Sequence, residues 1–308
     1  ALMAVFAVIF FSFFFVTDNF WPILLVTILF SCCWGAMQPL GESLTMLSAK
    51  ENGFEYGRVR LWGSLAFIAT AIIAGRVLSD TTPDAIMVMI FASVVLMFAV
   101  TLFLPNMRTS KATGSSFPIA PLLRNKAFLL VLIAAALIQS SHAVYYGFGT
   151  IHWQKSGISD TVIGVLWAEG VIAEVILFSM GAAVLRYTGP MRLIILGGVA
   201  GILRWVGTGL DDSLPALFIL QALHGLTFGA THLGVIHFIS DKVPEELSAT
   251  ALSLYSAVVM GLAMGLMVMA SGQLYGALGG QAYFVVAVMA AIGGLLALIV
   301  RQGNIQII

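Results

Sequence analysis

Charge is scarce in this sequence. Only 9% of its 308 residues are charged and 60% are hydrophobic, whereas soluble domains carry about 25% charged residues. The few charges stand in short islands between long apolar runs, so little of the chain could form a water-facing surface. The composition excludes an ordinary soluble domain and predicts an all-α protein that lies in a lipid bilayer. The 14 basic and 14 acidic residues cancel, which predicts no nucleic-acid partner.

Cysteine is almost absent as well. Cys32 and Cys33 are the only two, and they are adjacent within an apolar run. Neighbours on a helix point about 100° apart, which excludes a disulfide framework and favours small core residues. The sequence also lacks a phosphate loop, a metal-ligand cluster and a nucleophile with its base. We therefore predict no enzyme activity, no cofactor and no metal.

Long apolar runs are what the sequence has in abundance. A spanning helix needs roughly 20 apolar residues, and ten runs approach or exceed that length. The predicted segments are Ala1–Val16, Trp21–Met46, Leu61–Leu78, Asp84–Leu104, Ala127–Thr150, Thr161–Leu185, Met191–Leu210, Leu214–Ser240, Leu247–Leu274 and Ala282–Val300.

The start of the chain lacks the features of a secretory signal. It has no initiator Met, charged n-region or small-residue cleavage site, so we interpret the first run as opening inside a helix. The longest polar break, residues 105–126, separates four segments from six. We predict the remainder of an N-terminal bundle at 1–104, a cytoplasmic linker at 105–126 and a six-helix bundle at 127–308. Two equal bundles would make twelve helices, with helices 3–12 present.

The loop charges alternate in sign and so predict orientation. Cytoplasmic loops collect Lys and Arg, and the basic residues gather in alternate loops. The opposite loops hold Lys155 and several aspartates, including Asp211 and Asp212, and are predicted to face outward. This pattern predicts a multi-pass protein of the bacterial inner membrane. The predicted cytoplasmic residues are Lys50, Arg58, Arg108, Lys111, Arg124, Lys126, Arg186, Arg192, Lys242 and Arg301.

Charged side chains at membrane depth cost several kcal/mol, so they indicate ion pairs or a wet cavity. Glu42 and Arg60 lie nine residues either side of Glu51, the middle of a predicted hairpin. At about 1.5 Å per residue both reach a similar depth. Gln38 lies one turn before Glu42 and extends a polar stripe. A substrate-binding pair and an interfacial ion pair both remain open.

A second set of charges lies in the last six segments. Arg204 and His224 are ten residues either side of Leu214, and Glu174 is near the middle of its segment, so these three are predicted to meet near the midplane. Arg204 requires a carboxylate or an anionic ligand. Glu169 lies about 140° round the helix from Glu174. A permanent salt bridge between Glu174 and Arg204 is the structural alternative.

Polar and aromatic stripes accompany these charges. Gln221, His224 and Thr231 share one face, with His232 displaced by about 80°. Imidazole titrates near physiological pH, so this stripe favours a proton pathway, although packing histidines are the alternative. An earlier part of the chain, in and just after the predicted segment Ala127–Thr150, carries Tyr145 and a stripe that suits an organic ligand or an interfacial anchor. That stripe comprises Gln139, His142, Tyr146 and Trp153.

Several motifs resemble the major facilitator superfamily, in its branch of lactose and phenylpropionate permeases. In that branch an acid precedes the arginine of a GRxR-type segment by eighteen residues, and Glu42 and Arg60 keep that spacing. The resemblance covers nearly the whole chain. The other similar segments are Phe54–Ser64, Ser141–Phe148, Gly170–Phe178, Ile202–Trp205 and Gln221–Leu233.

The resemblance implies a twelve-helix fold with substrate bound between two halves and protons moved through the second half. The segment Gly181–Arg192 is similar to the superfamily's short cytoplasmic loop motif, which makes Arg186 and Arg192 expected gating residues. One position departs from the pattern. Lactose permease has an acid three residues after its helix-ten histidine, and Thr227 stands at that position here. The proton route of that permease therefore does not transfer directly.

The sequence thus predicts a proton symporter for a small organic anion such as an aromatic carboxylate. Predicted substrate-binding residues are Gln38, Glu42, Arg60, His142, Tyr145, Tyr146 and Arg204. Predicted proton-coupling residues are Glu169, Glu174, Gln221, His224 and His232. The alternatives are a sugar or nucleoside symporter and a transport-inactive sensor or assembly subunit. The small residues Gly261 and Gly265 favour close helix contact inside one bundle, so a monomer is expected.

Overall fold

The computed structural model describes residues 1–53, 56–79, 81–82, 84–104 and 119–303. The described chain is helical throughout, joined by short turns, and contains no strand within these ranges. The predicted all-α membrane fold is confirmed. The side chains of Gln38, Glu42 and Arg60 lie outside the described residues, so their predicted roles stay predictions. Residues 105–118 of the predicted linker lie outside them as well.

Residues Ala1–Leu65 and Arg76–Gly114 form one compact unit. It contains α1 (Leu2–Ser12), α2 (Phe20–Asn52), α4 (Asp84–Thr101) and part of α3 (Tyr56–Ser79). α1 packs on α2 and α4 through a small core of Ala7, Cys33 and Val94. The prediction that the adjacent cysteines are small core residues is thus correct for Cys33. Cys32 is exposed.

Residues Ala66–Gly75 and Ser115–Ile308 form the second unit. The predicted boundaries at residues 104 and 127 stay predictions. A short helix, α5, lies within the predicted linker. The helices of this unit are α5 (Ile119–Arg124), α6 (Lys126–Ser140), α7 (Ala143–Lys155), α8 (Asp160–Ser179), α9 (Gly181–Thr188), α10 (Pro190–Leu210), α11 (Leu214–Ala222), α12 (Thr231–Lys242), α13 (Glu245–Leu254), α14 (Met264–Leu278) and α15 (Ala282–Gln302).

Several predicted segments are interrupted rather than continuous. The run Ala127–Thr150 breaks between α6 and α7 at Ser141–His142 and continues to Lys155. The run Thr161–Leu185 ends as α8 at Ser179, and its last residues belong to α9. Two π-helical turns, Gly225–Ala230 and Tyr255–Ala263, interrupt the tenth and eleventh helices of the predicted fold. Such turns insert an extra residue and recur at functional sites.

α6, α10 and α15 form the closely packed core of the second unit. Gly198 of α10 faces Gly294 of α15, where an added Cβ would lie 2.7 Å from the Gly294 Cα. Gly293 approaches the Ala134 carbonyl of α6 equally closely, because a Cβ there would lie 2.8 Å from that oxygen. Small residues let helix backbones approach closely in a bilayer. These helices give the site a rigid support.

Eight stretches of the described chain are long and apolar enough to cross a membrane. One of them, Glu246–Gln302, covers two predicted segments, which the 3₁₀ turn Gly279–Gln281 separates. A shorter apolar stretch, Leu2–Val16, precedes the others. Each of the ten predicted segments overlaps one of these stretches, but their number as membrane-spanning helices stays a prediction. The total of twelve helices stays a prediction.

Candidate functional site

The second unit buries a guanidinium group deep in its helical core. Arg204, in the interior of α10, is only 1% exposed. Its Nη1 donates to His224 Nδ1 at 2.7 Å and to Thr227 Oγ1 at 3.1 Å, and its Nη2 donates to Gln221 Oε1 at 2.6 Å. All three acceptors are neutral groups. The charge is therefore held by hydrogen bonds that do not themselves neutralise it.

Aromatic rings enclose the same guanidinium. The Arg204 Cζ lies 4.6 Å from the ring centroid of Tyr145 and 4.6 Å from that of Trp205. Ring faces attract cations, by about 0.5–2 kcal/mol depending on desolvation. Trp205 is itself fixed, because its Nε1 donates to Ser141 Oγ at 2.8 Å. The rings thus hold the arginine in a single position.

His224 connects this arginine to a carboxylate. Its Nδ1 receives the Arg204 hydrogen bond, and its Nε2 lies 2.8 Å from Glu174 Oε1. Arg204 can only donate, so Nδ1 must be an unprotonated acceptor, and the proton of the neutral ring sits on Nε2 facing Glu174. The predicted meeting of Arg204, His224 and Glu174 is confirmed. The imidazole stands between the two charges.

Thr227 extends the network to a second histidine. His142 Nδ1 lies 3.0 Å from the Gln139 carbonyl oxygen and therefore donates to it. His142 Nε2 is then the acceptor, and the Thr227 hydroxyl donates to it at 2.9 Å while accepting from Arg204. The two imidazoles are thus neutral in opposite tautomers. The Thr227 hydroxyl therefore bridges Arg204 and His142.

Gln221 is the third hydrogen-bond partner of Arg204 and links it to Tyr145. Its amide oxygen accepts from Arg204, and its Nε2 donates to Tyr145 Oη at 3.1 Å and to the Leu166 carbonyl at 3.3 Å. Every polar atom of this amide is therefore engaged. Predicted as a proton-coupling residue, Gln221 holds the guanidinium and a tyrosine together.

Local backbone structure brings these side chains together. The helix break at Ser141–His142 places His142 at the start of α7, and the π-helical turn Gly225–Ala230 begins directly after His224. Gly170 and Gly225 allow α8 to approach closely: a Cβ on Gly170 would lie 3.2 Å from the His224 ring, and one on Gly225 would lie 2.7 Å from the Ala173 carbonyl. A larger residue at either position would separate His224 from Glu174.

Three predicted substrate-binding residues are buried in this conformation. Arg204, Tyr145 and His142 have almost no exposed surface, so a ligand could contact them only after the site opens. Tyr146 is 39% exposed and stacks on His142 and Trp167, and the Glu174 side chain is 18% exposed. Tyr146 and Glu174 are therefore the side chains of this network that a ligand can reach without an opening of the site. The substrate-binding roles themselves stay predictions.

The remaining predicted proton-coupling residues lie apart from Arg204. His232 Nδ1 lies 2.9 Å from Tyr255 Oη, and the ring stacks on Phe228. Glu169 is half-buried, and its Oε2 is buried without a hydrogen-bond partner among the described residues. The structure thus brings His232 to a tyrosine. Within the part of the chain that the structure describes, Glu169 forms no ion pair.

The predicted gating residues lie at a sharp turn between two helices. Arg186 is exposed on α9, donates to Tyr187 Oη at 3.1 Å and lies over that ring. Arg192 is exposed in the first turn of α10. Gly189, with φ of 71°, forms the turn before Pro190. A gating role for the two arginines stays a prediction.

Sequence reasoning missed two parts of the polar structure. The sequence pattern marks Thr227 only as a missing acid, although a hydroxyl one turn from His224 is a signal for the same network. A second signal is His152, a histidine at a helix end near the outward-loop residue Asp212; the two side chains lie 3.0 Å apart. No group of three possible metal ligands occurs within the described ranges.

Membrane-length helices that bury an arginine–imidazole–carboxylate network are typical of polytopic membrane transporters. The sequence profile of the MFS_1-like family matches residues 1–286. The chain therefore belongs to this family of the major facilitator superfamily. It is accordingly a multi-pass protein of the bacterial inner membrane, and its relatives are transporters of small substrates.

Individual relatives differ in substrate. The chain is similar to the "Probable 3-phenylpropionic acid transporter" of Escherichia coli (strain K12), with 32% identity over 274 residues that cover 87% of this chain and 71% of that protein. It is 28% identical to the maltose permease of Geobacillus stearothermophilus over 77% of this chain and 60% of the permease. The crystal structure of the nucleoside transporter NupG shares the fold, with a TM-score of 0.81, 15% identity and coverage of 98% of this chain and 82% of that one.

Proposed function

We propose that this protein couples the uptake of a small organic anion, an aromatic carboxylate such as phenylpropionate, to the uptake of a proton by alternating access. The observation that carries the proposal is the connection of Arg204 to Glu174 through His224. One buried positive charge and one buried negative charge share a single neutral imidazole. Adding a proton to Glu174 changes the charge of the whole network from zero to plus one.

That change of charge provides the coupling. With Glu174 ionised, the two charges compensate each other through the imidazole, and a substrate carboxylate gains little from Arg204. With Glu174 protonated, the positive charge is uncompensated and attracts an anion in a low-dielectric interior. By linkage, bound anion favours protonation to the same extent that protonation favours the anion. Proton and carboxylate therefore enter together.

The aromatic lining favours a substrate that contains a ring. Tyr146 is exposed beside the network, and its ring is parallel to Trp167 with an interplanar angle of 21°. Parallel ring faces offer an apolar surface to another ring. The relative whose name includes 3-phenylpropionic acid supports the same class of substrate. We further propose that Gln38, Glu42 and Arg60 contribute to substrate binding, that Arg186 and Arg192 act in gating, and that the protein is a monomer.

The test is substrate-driven proton movement in proteoliposomes. Phenylpropionate, maltose and a nucleoside are added separately, and the external pH is recorded. We expect alkalinisation with phenylpropionate, and its loss in Glu174→Gln, because an amide cannot take up the proton. Glu246→Gln, the same change at an exposed position of α13, is the matched control and retains full activity.

The competing function is sugar or nucleoside symport. The maltose permease and the NupG fold favour it, and Glu174 could then pair with substrate hydroxyls. Proton uptake with maltose or the nucleoside, and none with phenylpropionate, would establish that alternative. A correctly folded protein that moves protons with none of the three compounds, and in which Glu174→Gln changes nothing, would instead identify a transport-inactive sensor or subunit.

A further inference from the structure

A second histidine–carboxylate pair lies at the end of α7 that the loop charges predict to be outer. His152 Nε2 lies 3.0 Å from Asp212 Oδ1, and its Nδ1 lies 3.0 Å from Tyr275 Oη. The ring also packs edge-on against Tyr283, with centroids 5.3 Å apart. This outer cluster of His152, Asp212 and Tyr275 joins α7, the loop before α11, and α14.

The surroundings of the outer cluster hold the imidazole in place. The second oxygen of Asp212 accepts from Ser156 Oγ at 2.8 Å. A Cβ on Gly280 would lie 2.8 Å from His152 Cε1, so the ring fits tightly against that turn. The His152 residue is buried, whereas the Asp212 side chain is 38% exposed. The ring is therefore fixed, and water reaches its carboxylate partner.

Two further charged groups lie nearby. Lys155 Nζ is 5.5 Å from the Tyr275 ring centroid, one turn after His152 on the same helix. Asp211 directs its Oδ1 to the Ser213 amide at 2.8 Å, and the hydrogen bonds from Ser213 lower the pKa of its carboxyl. Asp211 is thus an ionised neighbour with its own partner. Asp212 is the acid that contacts the imidazole.

The partners of His152 allow its ring to gain a proton without losing a hydrogen bond. A carboxylate only accepts, so the Nε2 nitrogen donates to Asp212 in both charge states. The Tyr275 hydroxyl can donate to a neutral Nδ1 or, after rotation, accept from a protonated one. His224 lacks this freedom, because its Nδ1 faces an arginine that cannot accept.

We propose that the outer cluster is a proton-binding site separate from the Arg204 network. Protonation converts the bond between His152 and Asp212 into a charge-assisted one, which is roughly twice as strong as a neutral hydrogen bond. It thereby tightens the attachment of α7 to the loop that follows α10. Because α7 is separated from α6 by the break at Ser141–His142, the outer cluster sets how firmly its outer end is held. The proposal depends on the contacts of this cluster and not on the identity of the substrate.

The test is an NMR titration of the purified, full-length protein with ¹³C-labelled histidines. The sequence has five histidines, and His152→Gln identifies the signal of His152 by its loss. We expect that signal to shift reversibly when the buffer is changed from alkaline to acidic, because the ring gains a proton. In Asp212→Asn the size of that shift changes, because the anion that contacts the charged ring is gone. Asp211→Asn, in the same loop, leaves the titration unchanged.

Amide hydrogen exchange provides a second measurement on the unmodified protein. After correction for the intrinsic pH dependence of exchange, the amides of Ala143–Lys155 are expected to exchange several-fold more slowly at pH 5.5 than at pH 8. In Asp212→Asn we expect the corrected exchange rates at the two pH values to be equal. A His152 signal that stays fixed across this range, or a titration that is identical in Asp212→Asn, would overturn the proposal. Exchange in α7 that is independent of pH would disprove the tightening of α7.

Discussion

The second unit contains two histidines that each direct Nε2 at a carboxylate, and they differ in what faces Nδ1. His224 faces the guanidinium of Arg204, a group that can only donate. His152 faces the hydroxyl of Tyr275, a group that donates or accepts. One imidazole is therefore held neutral and the other can change its charge. The partner of the second nitrogen, more than the carboxylate, decides what a buried histidine can do.

The two carboxylates differ in a matching way. Glu174 has 18% of its side chain exposed and Asp212 has 38%. In the centre the histidine is held neutral, which leaves the acid as the group that can take up a proton. In the outer cluster the acid is wet and accepts two hydrogen bonds, which leaves the histidine as that group. The same two residue types can thus exchange roles.

Replacing Arg204 should have the largest effect on the difference between His224 and His152. In Arg204→Met, His224 Nδ1 loses its donor, so we expect the His224 NMR signal to move. Anion uptake should fall about 10- to 100-fold, since a hydrogen bond to a charged group contributes about 1.5–3 kcal/mol. The control is Arg301→Met, the same change at an exposed position near the end of α15. A His224 signal that stays fixed in Arg204→Met would show that another group holds the ring neutral.

Replacing the central hydroxyl should have the next largest effect. Thr227→Val leaves His142 Nε2 without its donor and removes one acceptor from Arg204. Each unsatisfied buried group costs about 1–3 kcal/mol, so the melting temperature should fall by several degrees. The control Thr188→Val removes a hydroxyl that bonds only to a carbonyl of its own helix. Equal melting temperatures for the two variants would contradict the bridging role of Thr227.

Replacing the outer hydroxyl should have a smaller effect on stability and a clear effect on pH dependence. Tyr275→Phe removes the group that accepts from protonated His152, at a cost of about 0.5–1.5 kcal/mol. We expect thermal stability at acidic pH to fall more than stability at alkaline pH. The exposed Tyr187→Phe is the reference. A loss that is identical at both pH values would indicate that Tyr275 contributes packing alone.

An exposed bond at the same helix end should matter least. Gln154 donates to Asp160 Oδ1 at 2.7 Å, but both groups lie near water. Gln154→Ala should change the unfolding free energy by no more than about 0.5 kcal/mol and leave the His152 titration intact. A titration shift in this variant would show that the outer end of α7 responds to any perturbation, and the contrast would lose its specificity.

Much of the fold followed from the sequence, because bilayer thickness fixes how long an apolar run must be. Counting residues from a helical hairpin also placed Arg204, His224 and Glu174 at one depth. Depth does not give direction round the axis, however, so the sequence suggested a direct pair of Glu174 and Arg204 where the structure inserts His224. Both histidine tautomers depend on neighbours from other helices, which no spacing along one helix shows.

The helix interruptions were not predictable by the same route. The polar stripes in the sequence assume a regular helix of 3.6 residues per turn. The helix is not regular at Ser141–His142 or at the two π-helical turns. The amide of Gln139 donates to the carbonyl of Phe228 inside one of these turns at 3.3 Å. A side chain from α6 thus satisfies backbone that an uninterrupted helix would satisfy itself, which is a tertiary effect.

The π-helical turn Gly225–Ala230 limits which insertions and deletions the chain can accept in this helix. Its extra residue sets the rotational phase between the residues directly before it, which include His224, and α12, which carries His232. Deleting one residue there would rewind the backbone and swing α12 by about 100°, separating His232 from Tyr255 while His224 keeps its place beside Arg204. Here the number of residues in the chain, and not only their identity, encodes which polar groups meet.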